Sequence, residues 1–472
     1  MAASWLKISC LLCVFGFLRE LRPSESYHAE IIMGEWYNVT PDQVIRQVYP
    51  IGTYSYLALL FIVFLITDFL RYKPLIIANA LAGIICWGLL IWIKSLLGMQ
   101  IAEVFYGFYQ AAEVAYYTYI YAKVDKQYYP RVTSHTRAAM FVGKLVASSL
   151  AQLMIGMEWM NFKELLYITV SCQVLALFWA FGLPKVESSL YFHQKPKLRV
   201  ESDNQPIETN AVEVEATKGT TASQPIETNA AEVEATKGTT AQGQETPQSS
   251  GNNVHTLWSH FHNAYTNPIA LQWSLWYAVG LAGYLQITNY MQVLWKSFDD
   301  EPEIVWNGAV DAAFTALAAL SSLLAGYLHV GRLKSRTSLL SLAFLSVLEG
   351  GCVLLSTWTS TVYMSYLGYV LFGGLYGFSI TVASAELASC LLEDSFALIF
   401  GINTFLALII QSLLTLVVVS ETGNLNLTTP EQFTVYAYYL IGIGVLYFTG
   451  FMIQIVWKLA RKSSNSNKIN LN

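Results

Sequence analysis

Stretches of about 18 or more predominantly apolar residues recur along this chain, and each is long enough to cross a bilayer as a helix. Clear cases are Leu75–Ile93, Leu165–Leu183, Leu339–Leu355, Ala397–Val419 and Tyr436–Trp457. Only 12% of the residues are charged, against about 25% in soluble domains. The pattern predicts an all-α membrane protein with about twelve transmembrane helices. They fall near 5–33, 51–69, 74–94, 101–122, 137–157, 164–183, 268–294, 306–330, 337–357, 361–388, 396–419 and 433–457. The net charge of -5 gives no nucleic-acid signal.

The spans group as six, a hydrophilic insert, and six. This predicts an N-terminal six-helix bundle (1–183), a disordered cytoplasmic linker (184–267), a C-terminal six-helix bundle (268–457) and a cytoplasmic tail (458–472). The linker contains a tandem repeat: Gln205–Ala211 returns at Gln224–Ala230, and each copy continues through Glu-Val-Glu-Ala-Thr-Lys-Gly-Thr-Thr-Ala. With no aromatic residue between Phe192 and Trp258, such a segment lacks the apolar surface to fold alone. Basic residues set the orientation. Arg71 and Lys73, then Lys123, Lys126 and Arg131, then Lys195, Lys197 and Arg199 follow alternate spans. Arg332, Lys334 and Arg336, then Lys458, Arg461 and Lys462, continue the series. All fall on the cytoplasmic side if both termini are cytoplasmic. The glycosylation sequons at Asn38 and Asn426 then both face outward.

Leu6–Leu18 resembles the apolar core of a signal peptide, but it runs into Arg19, Glu20, Arg22 and Pro23 with no small-residue cleavage site. It is read as the first half of a retained span. Cys10 and Cys13 have metal-ligand spacing without a second pair or a nearby histidine, so they are read as small apolar residues. No catalytic motif or metal-ligand cluster is present. These absences point away from an enzyme, a cofactor or a metal. Dispersed polar residues in a 6+6 chain fit a solute carrier better than a channel or a transport-inactive sensor.

Charged groups at bilayer depth are costly and tend to mark a pathway. In the fourth span Glu103, Tyr106, Gln110, Glu113 and Tyr117 are spaced 3, 4, 3 and 4 residues apart. They share an arc of about 80° on one helix face, with the two carboxylates about 15 Å apart. Such a wall suits a cation or proton, or one acid pairs with a basic residue for folding. Arg22 and Glu25 flank Pro23 in the first span; Lys144, Asn289, Asp311 and Glu386 lie in later ones. Asp68 with Arg71 and Lys73 is read as a loop clasp, and Glu349 as a solvated span-end residue.

Several stretches resemble the reduced folate carrier family, the folate and thiamine transporters of the major facilitator superfamily. They are Arg22-Pro23-Ser24-Glu25, Thr53–Leu57, Thr67-Asp68-x-x-Arg71-Tyr72-Lys73-Pro74, Ala111–Tyr117, Trp273–Trp276, Asn289-Tyr290, Asn307–Ala309 and Phe400–Phe405. The resemblance implies a major facilitator-type 6+6 helix bundle working by alternating access in the plasma membrane. The implied partners are the lipid bilayer and a small vitamin, with no nucleic acid, for a monomeric protein. Folate carriers of this family have cations where this chain has Glu113, Gly373 and Gln411, and thiamine carriers share the Glu and Gln. The resemblance therefore implies transport of cationic thiamine, with folate or a phosphorylated anion as the alternative. It also implies a substrate pocket built from Glu25, Tyr49, Trp87, Glu103, Tyr106, Glu113 and Asn289. The chain departs from the family at Ser26–Glu30, where an apolar run is expected. It departs again at Gly52 (for Trp), Lys144 (for Tyr) and Glu386 (for Gln). Lys144 and Glu386 are expected to neutralise each other across the two halves.

Overall fold

The computed structural model describes residues 2–124, 128–186, 258, 261–262, 264–298, 305–331, 335–391, 396–420 and 427–469. All of these belong to one compact unit, residues 1–194 and 253–472; the stretch 195–252, which holds the tandem repeat, lies outside the described residues. The described secondary structure is helical throughout.

In the N-terminal half, α1 (Ala2–Glu20) is followed by a 3-10 turn (Pro23–Tyr27) and α2 (His28–Ile32). Then come α3 (Tyr49–Phe69), α4 (Lys73–Trp92), α5 (Leu96–Ala111), α6 (Glu113–Lys123), α7 (Tyr129–Gly156) and α8 (Leu165–Phe181). The C-terminal half contributes α9 (Pro268–Lys296), α10 (Asn307–Gly331), α11 (Ser335–Trp358), α12 (Val362–Ser389), α13 (Phe396–Leu414) and α14 (Thr429–Ile469). Among the described residues, eight helical stretches are long and apolar enough to cross a membrane. The other four expected spans are α1 with its broken continuation, α5 with α6, α8, and α9.

Local chemistry explains the boundaries. Pro268 opens α9 behind Asn267, whose side chain accepts the Ile269 N–H. Ser95 caps α5 in the same way, accepting from Gly98. Pro74 opens α4 after Arg71 and Tyr72, which both adopt positive φ. The Lys73 ammonium donates to the carbonyls of Phe181 and Leu183 at the end of α8. It thus serves α8, where the sequence suggested a clasp with Asp68; the Asp68 side chain lies outside the described residues. The expected fourth span is interrupted at Ala112, between α5 and α6. The last helix runs on through Ile469, into the expected tail.

Outward faces carry Phe178, Leu320, Tyr327, Leu446 and Ile453, all more than 60% exposed. Such faces suit hydrocarbon as their solvent. The described edges of the expected linker are anchored. Lys123 and Tyr119 donate to the carbonyls of Lys185 and Pro184, and Tyr265 donates to Asn403. At helical spacing, the Trp258 ring stacks on Phe261, which meets Tyr265 at a tilt.

The halves meet where α7 packs on α10 and α3 on α13. At Gly308, in the first turn of α10, a Cβ would come 2.8 Å from the Ser148 carbonyl oxygen and 2.9 Å from the Gln152 backbone nitrogen. The next N–H, of Ala309, donates to Gln152 Oε1. Only glycine permits this approach, so Gly308→Val should destabilise the folded protein by about 1–3 kcal/mol. A lower melting temperature in detergent is the expected readout.

Candidate functional site

The site begins with a break in the first span. Pro23 has no N–H to return to the Arg19 carbonyl four residues back, and α1 ends at Glu20. In lipid that carbonyl must find another donor. Tyr109 Oη donates to it at 2.8 Å and Gln173 Nε2 at 3.1 Å. Past the break, the Ser24 N–H donates to Thr169 Oγ1.

The break leaves Arg19, Glu20, Arg22 and Glu25 inside the N-terminal bundle. Arg19 pairs with Glu20 and, at 3.1 Å, with Glu113; Arg22 pairs with Glu20 at 2.7 Å and with Glu25. The Arg19 guanidinium lies over the Tyr109 ring, and that of Arg22 over Trp87. Glu113 is therefore held by a basic residue, the folding role weighed as the alternative to a pathway role, yet it also lines the cavity described next.

A cavity of about 1260 Å³ lies between the halves. Its lining includes all seven pocket residues that the resemblance implied: Glu25, Tyr49, Trp87, Glu103, Tyr106, Glu113 and Asn289. Gln110 and Tyr117 also reach it, so the polar face read from the 3-4 spacing survives the interruption at Ala112. Trp87 is only 1% exposed and already carries Arg22 on its face. Tyr49, Tyr106 and Tyr284 are the more open aromatic walls.

Glu103 differs from the other N-terminal carboxylates. No lysine or arginine pairs with it among the described residues; its partner is His28, with Nε2 3.8 Å from Oε1. His28 meets Tyr49 edge-on and belongs to the segment where this chain departs from the resembled family. Gly52 makes room for this arrangement, since a Cβ there would overlap Glu103 Oε2. Arg19, Glu20, His28 and Tyr284 were not singled out as site residues from sequence. The density of charge around Pro23 was the available signal for the first two.

The structure does not bring every expected partner together. Lys144 lines the cavity, in the field of Asp311, Glu25 and Glu20. Glu386 is buried near the end of α12 and is not part of the cavity lining. No ion pair joins Lys144 to Glu386 among the described residues, because Lys144 projects from the middle of α7 into the space shared with α10. Glu349 is likewise no solvated end residue: it is 1% exposed within α11 and accepts a 2.7 Å hydrogen bond from Ser379. Packing of α11 against α12 and α14 covers it. Asn38 is exposed, as its sequon requires; Asn426 lies outside the described residues. No metal-binding group occurs among the described residues.

On the side away from the chain termini, the halves are tied across the cavity. Lys296 pairs with Glu30. Gln292 accepts from the Ala29 N–H and donates to the Glu25 carbonyl. Tyr27 donates to the Val305 carbonyl and Arg46 to that of Val419. Toward the terminal side the lining continues through Arg137, Ser134 and Thr133 in the first turns of α7.

This arrangement defines a class of protein: a polytopic carrier with a central cavity between two six-helix halves. The crystal structure of the nucleoside transporter NupG has the same fold, with a TM-score of 0.57 at 13% identity, covering 94% of this chain and 99% of that one. The chain belongs to the reduced folate carrier family, whose model matches residues 3–435. It is 34% identical over 465 residues to thiamine transporter 1 of Mus musculus, covering 98% of this chain and 93% of that protein. It is also 34% identical over 469 residues to folate transporter 1 of Caenorhabditis elegans, covering 98% and 95%. The protein is a multi-pass membrane transporter and not an enzyme.

The ion network makes an ordered prediction. Arg19→Met removes the arginine paired with Glu113 and one of the two paired with Glu20, and should cost about 3–5 kcal/mol. Glu113→Gln should cost less, because Arg19 keeps Glu20, and the double variant should recover part of the loss. Thermal unfolding in detergent measures all three; equal effects of the two single changes would contradict the network.

Proposed function

We propose that the protein takes up thiamine across the plasma membrane, with both termini cytoplasmic and the cavity open to the cytoplasm in the conformation described. The observation that carries this reading is the charge of the cavity. Five carboxylates (Glu20, Glu25, Glu103, Glu113, Asp311) line it against three cations (Arg22, Arg137, Lys144). Arg19, behind the wall, satisfies one more carboxylate. Asp311 has Lys144 in its neighbourhood, whereas Glu103 has no lysine or arginine partner among the described residues and is available to a permanent organic cation. Tyr49, Tyr106 and Tyr284 would face a heteroaromatic ring, and the Asn289 amide would meet the edge of a pyrimidine.

A folate would meet the opposite field. Two like charges about 4 Å apart repel by about 4 kcal/mol at an effective dielectric near 20. Gly373 stands at one of the two positions where folate carriers have arginine, and even a Cβ there would overlap the Phe314 ring. Lys144 is the cavity cation that could favour an anion.

Transport by alternating access requires the ties from Lys296, Gln292, Tyr27 and Arg46 to open while the terminal side closes. Exchange against a proton suits this site. Glu103 is the carboxylate that the cation would leave, and His28 lies beside it, with Nε2 3.8 Å from Oε1.

Two experiments test the reading. Labelled thiamine uptake should be saturable, lost in Glu103→Gln and reduced in Glu113→Gln, with little folate uptake. Robust folate transport indifferent to both changes would refute the assignment. Separately, deletion of residues 205–242 should leave uptake within about twofold of the full chain, because a repeat of this composition is expected to lack the apolar surface for a packing role. Loss of uptake at normal surface expression would assign the repeat a role.

A further inference from the structure

The C-terminal half holds a carboxyl that the cavity does not use. Glu349 is the middle residue of the span Leu340–Trp358, is only 1% exposed and lies outside the cavity lining. No lysine, arginine or histidine pairs with it among the described residues. The helices packed around it supply no cation. The single charged residue of α12 is Glu386, seven positions beyond Ser379. On α14, Ala437 and Ile441 meet Gly350, and the stretch 433–450 carries no charge. From α9, the Trp276 indole donates to Ser346; the one charged residue of that helix, Lys296, is paired with Glu30. On α11 itself the titratable neighbour is the Cys352 thiol, and Arg336 is about 20 Å away along the axis. A bare carboxylate in such surroundings is costly, and proton uptake removes the cost.

The hydrogen-bond geometry points the same way. Ser379 Oγ is 2.7 Å from Glu349 Oε1 and 2.9 Å from the Leu375 carbonyl oxygen. A serine hydroxyl has a single proton to give. With Glu349 ionised, that proton goes to the carboxylate, and the approach to Leu375 carries none. With Glu349 neutral, the carboxyl donates to Ser379 and Ser379 donates to Leu375, so both distances are hydrogen bonds. Nearby, within electrostatic reach of Glu349, the Tyr376 hydroxyl is buried without a partner among the described residues. The Tyr376 ring stacks on Tyr284 with centroids 4.1 Å apart, and Tyr284 lines the cavity. Ile380 and Thr381, the residues after Ser379, line it as well. Glu349 thus stands behind the part of the wall that α12 forms.

We propose that Glu349 is a proton-binding site of the C-terminal half, held as the neutral carboxylic acid that donates through Ser379 to Leu375, and that release of its proton loosens α11 from α12 behind the cavity wall. The ligand of this site is the proton, whichever vitamin the cavity carries. The folded protein holds a proton here that a carboxyl in water gives up, so its stability is greatest in acid and falls as pH rises.

The test uses the full-length protein in detergent with no vitamin present. Infrared spectra of wild type at neutral pH should contain the carbonyl stretch of a protonated carboxyl, and Glu349→Gln should remove it. Ser379→Ala, which deletes one oxygen, should shift the same band. Melting temperatures supply the second readout. Wild type should fall below Glu349→Gln as pH is raised from about 5 to about 8, and the two should converge in acid, because the amide donates to Ser379 as the neutral acid does. The proposal is overturned if wild type and Glu349→Gln show the same carboxyl bands, or if their difference in melting temperature does not change with pH. If Glu349→Gln does not fold, Ser379→Ala decides: a carboxyl band that stays in place overturns the proposal, and a shifted one supports it.

Discussion

A single unmade hydrogen bond organises the N-terminal half. In water, the Arg19 carbonyl freed by Pro23 would be solvated at no cost. In hydrocarbon it must be met from within, and Tyr109 and Gln173 converge on it. That requirement draws α5 and α8 to the break in the first span. It also fixes Arg19, Glu20, Arg22 and Glu25 at the centre of the bundle, where their mutual pairing makes their burial tolerable. Breaking one member leaves the others exposed to the full desolvation cost, so the wall of the cavity is rigid because its charges are interdependent.

Against that rigid wall, the polar groups with freedom to act are few. Glu113 and Glu25 are committed to arginines. Glu103 faces only an imidazole, and Lys144 only a field. Glu103 and Lys144 have opposite sign and come from different helices of the same half. A cavity of this kind discriminates by where a ligand carries its charges as much as by their sum.

The sequence disclosed the spans, their grouping and the polar face of α5 and α6, because long apolar runs and a 3-4 spacing are local patterns. It also disclosed, through family resemblance, a set of residues that the fold gathers into one cavity. It did not disclose partners. Glu113 finds Arg19 from a different span; Glu103 finds His28 because α2 leans over the cavity and because Gly52 is empty; and Lys144 stands apart from Glu386. Each of these depends on helix rotation and depth, which a one-dimensional pattern does not encode. Glu349 reads as a span-end residue for the same reason: Gly350 and Gly351 follow it in sequence, but its cover comes from α12 and α14. The helix break at Ala112 left no trace in hydropathy.

The ties on the side away from the termini have a consequence for how the carrier would behave kinetically. Lys296–Glu30, the two bonds of Gln292, and those of Tyr27 and Arg46 all belong to one conformation. Whatever free energy they contribute over their hydrated, separated state sets the population of molecules whose cavity is accessible from that side. Each 1.4 kcal/mol of net preference lowers that population about tenfold, and the apparent affinity measured from that side falls by the same factor. The intrinsic grip of the cavity on its ligand can thus be tight while half-saturation from the tied side remains high. Weakening a tie far from the ligand would then sharpen uptake without altering a single contact to it.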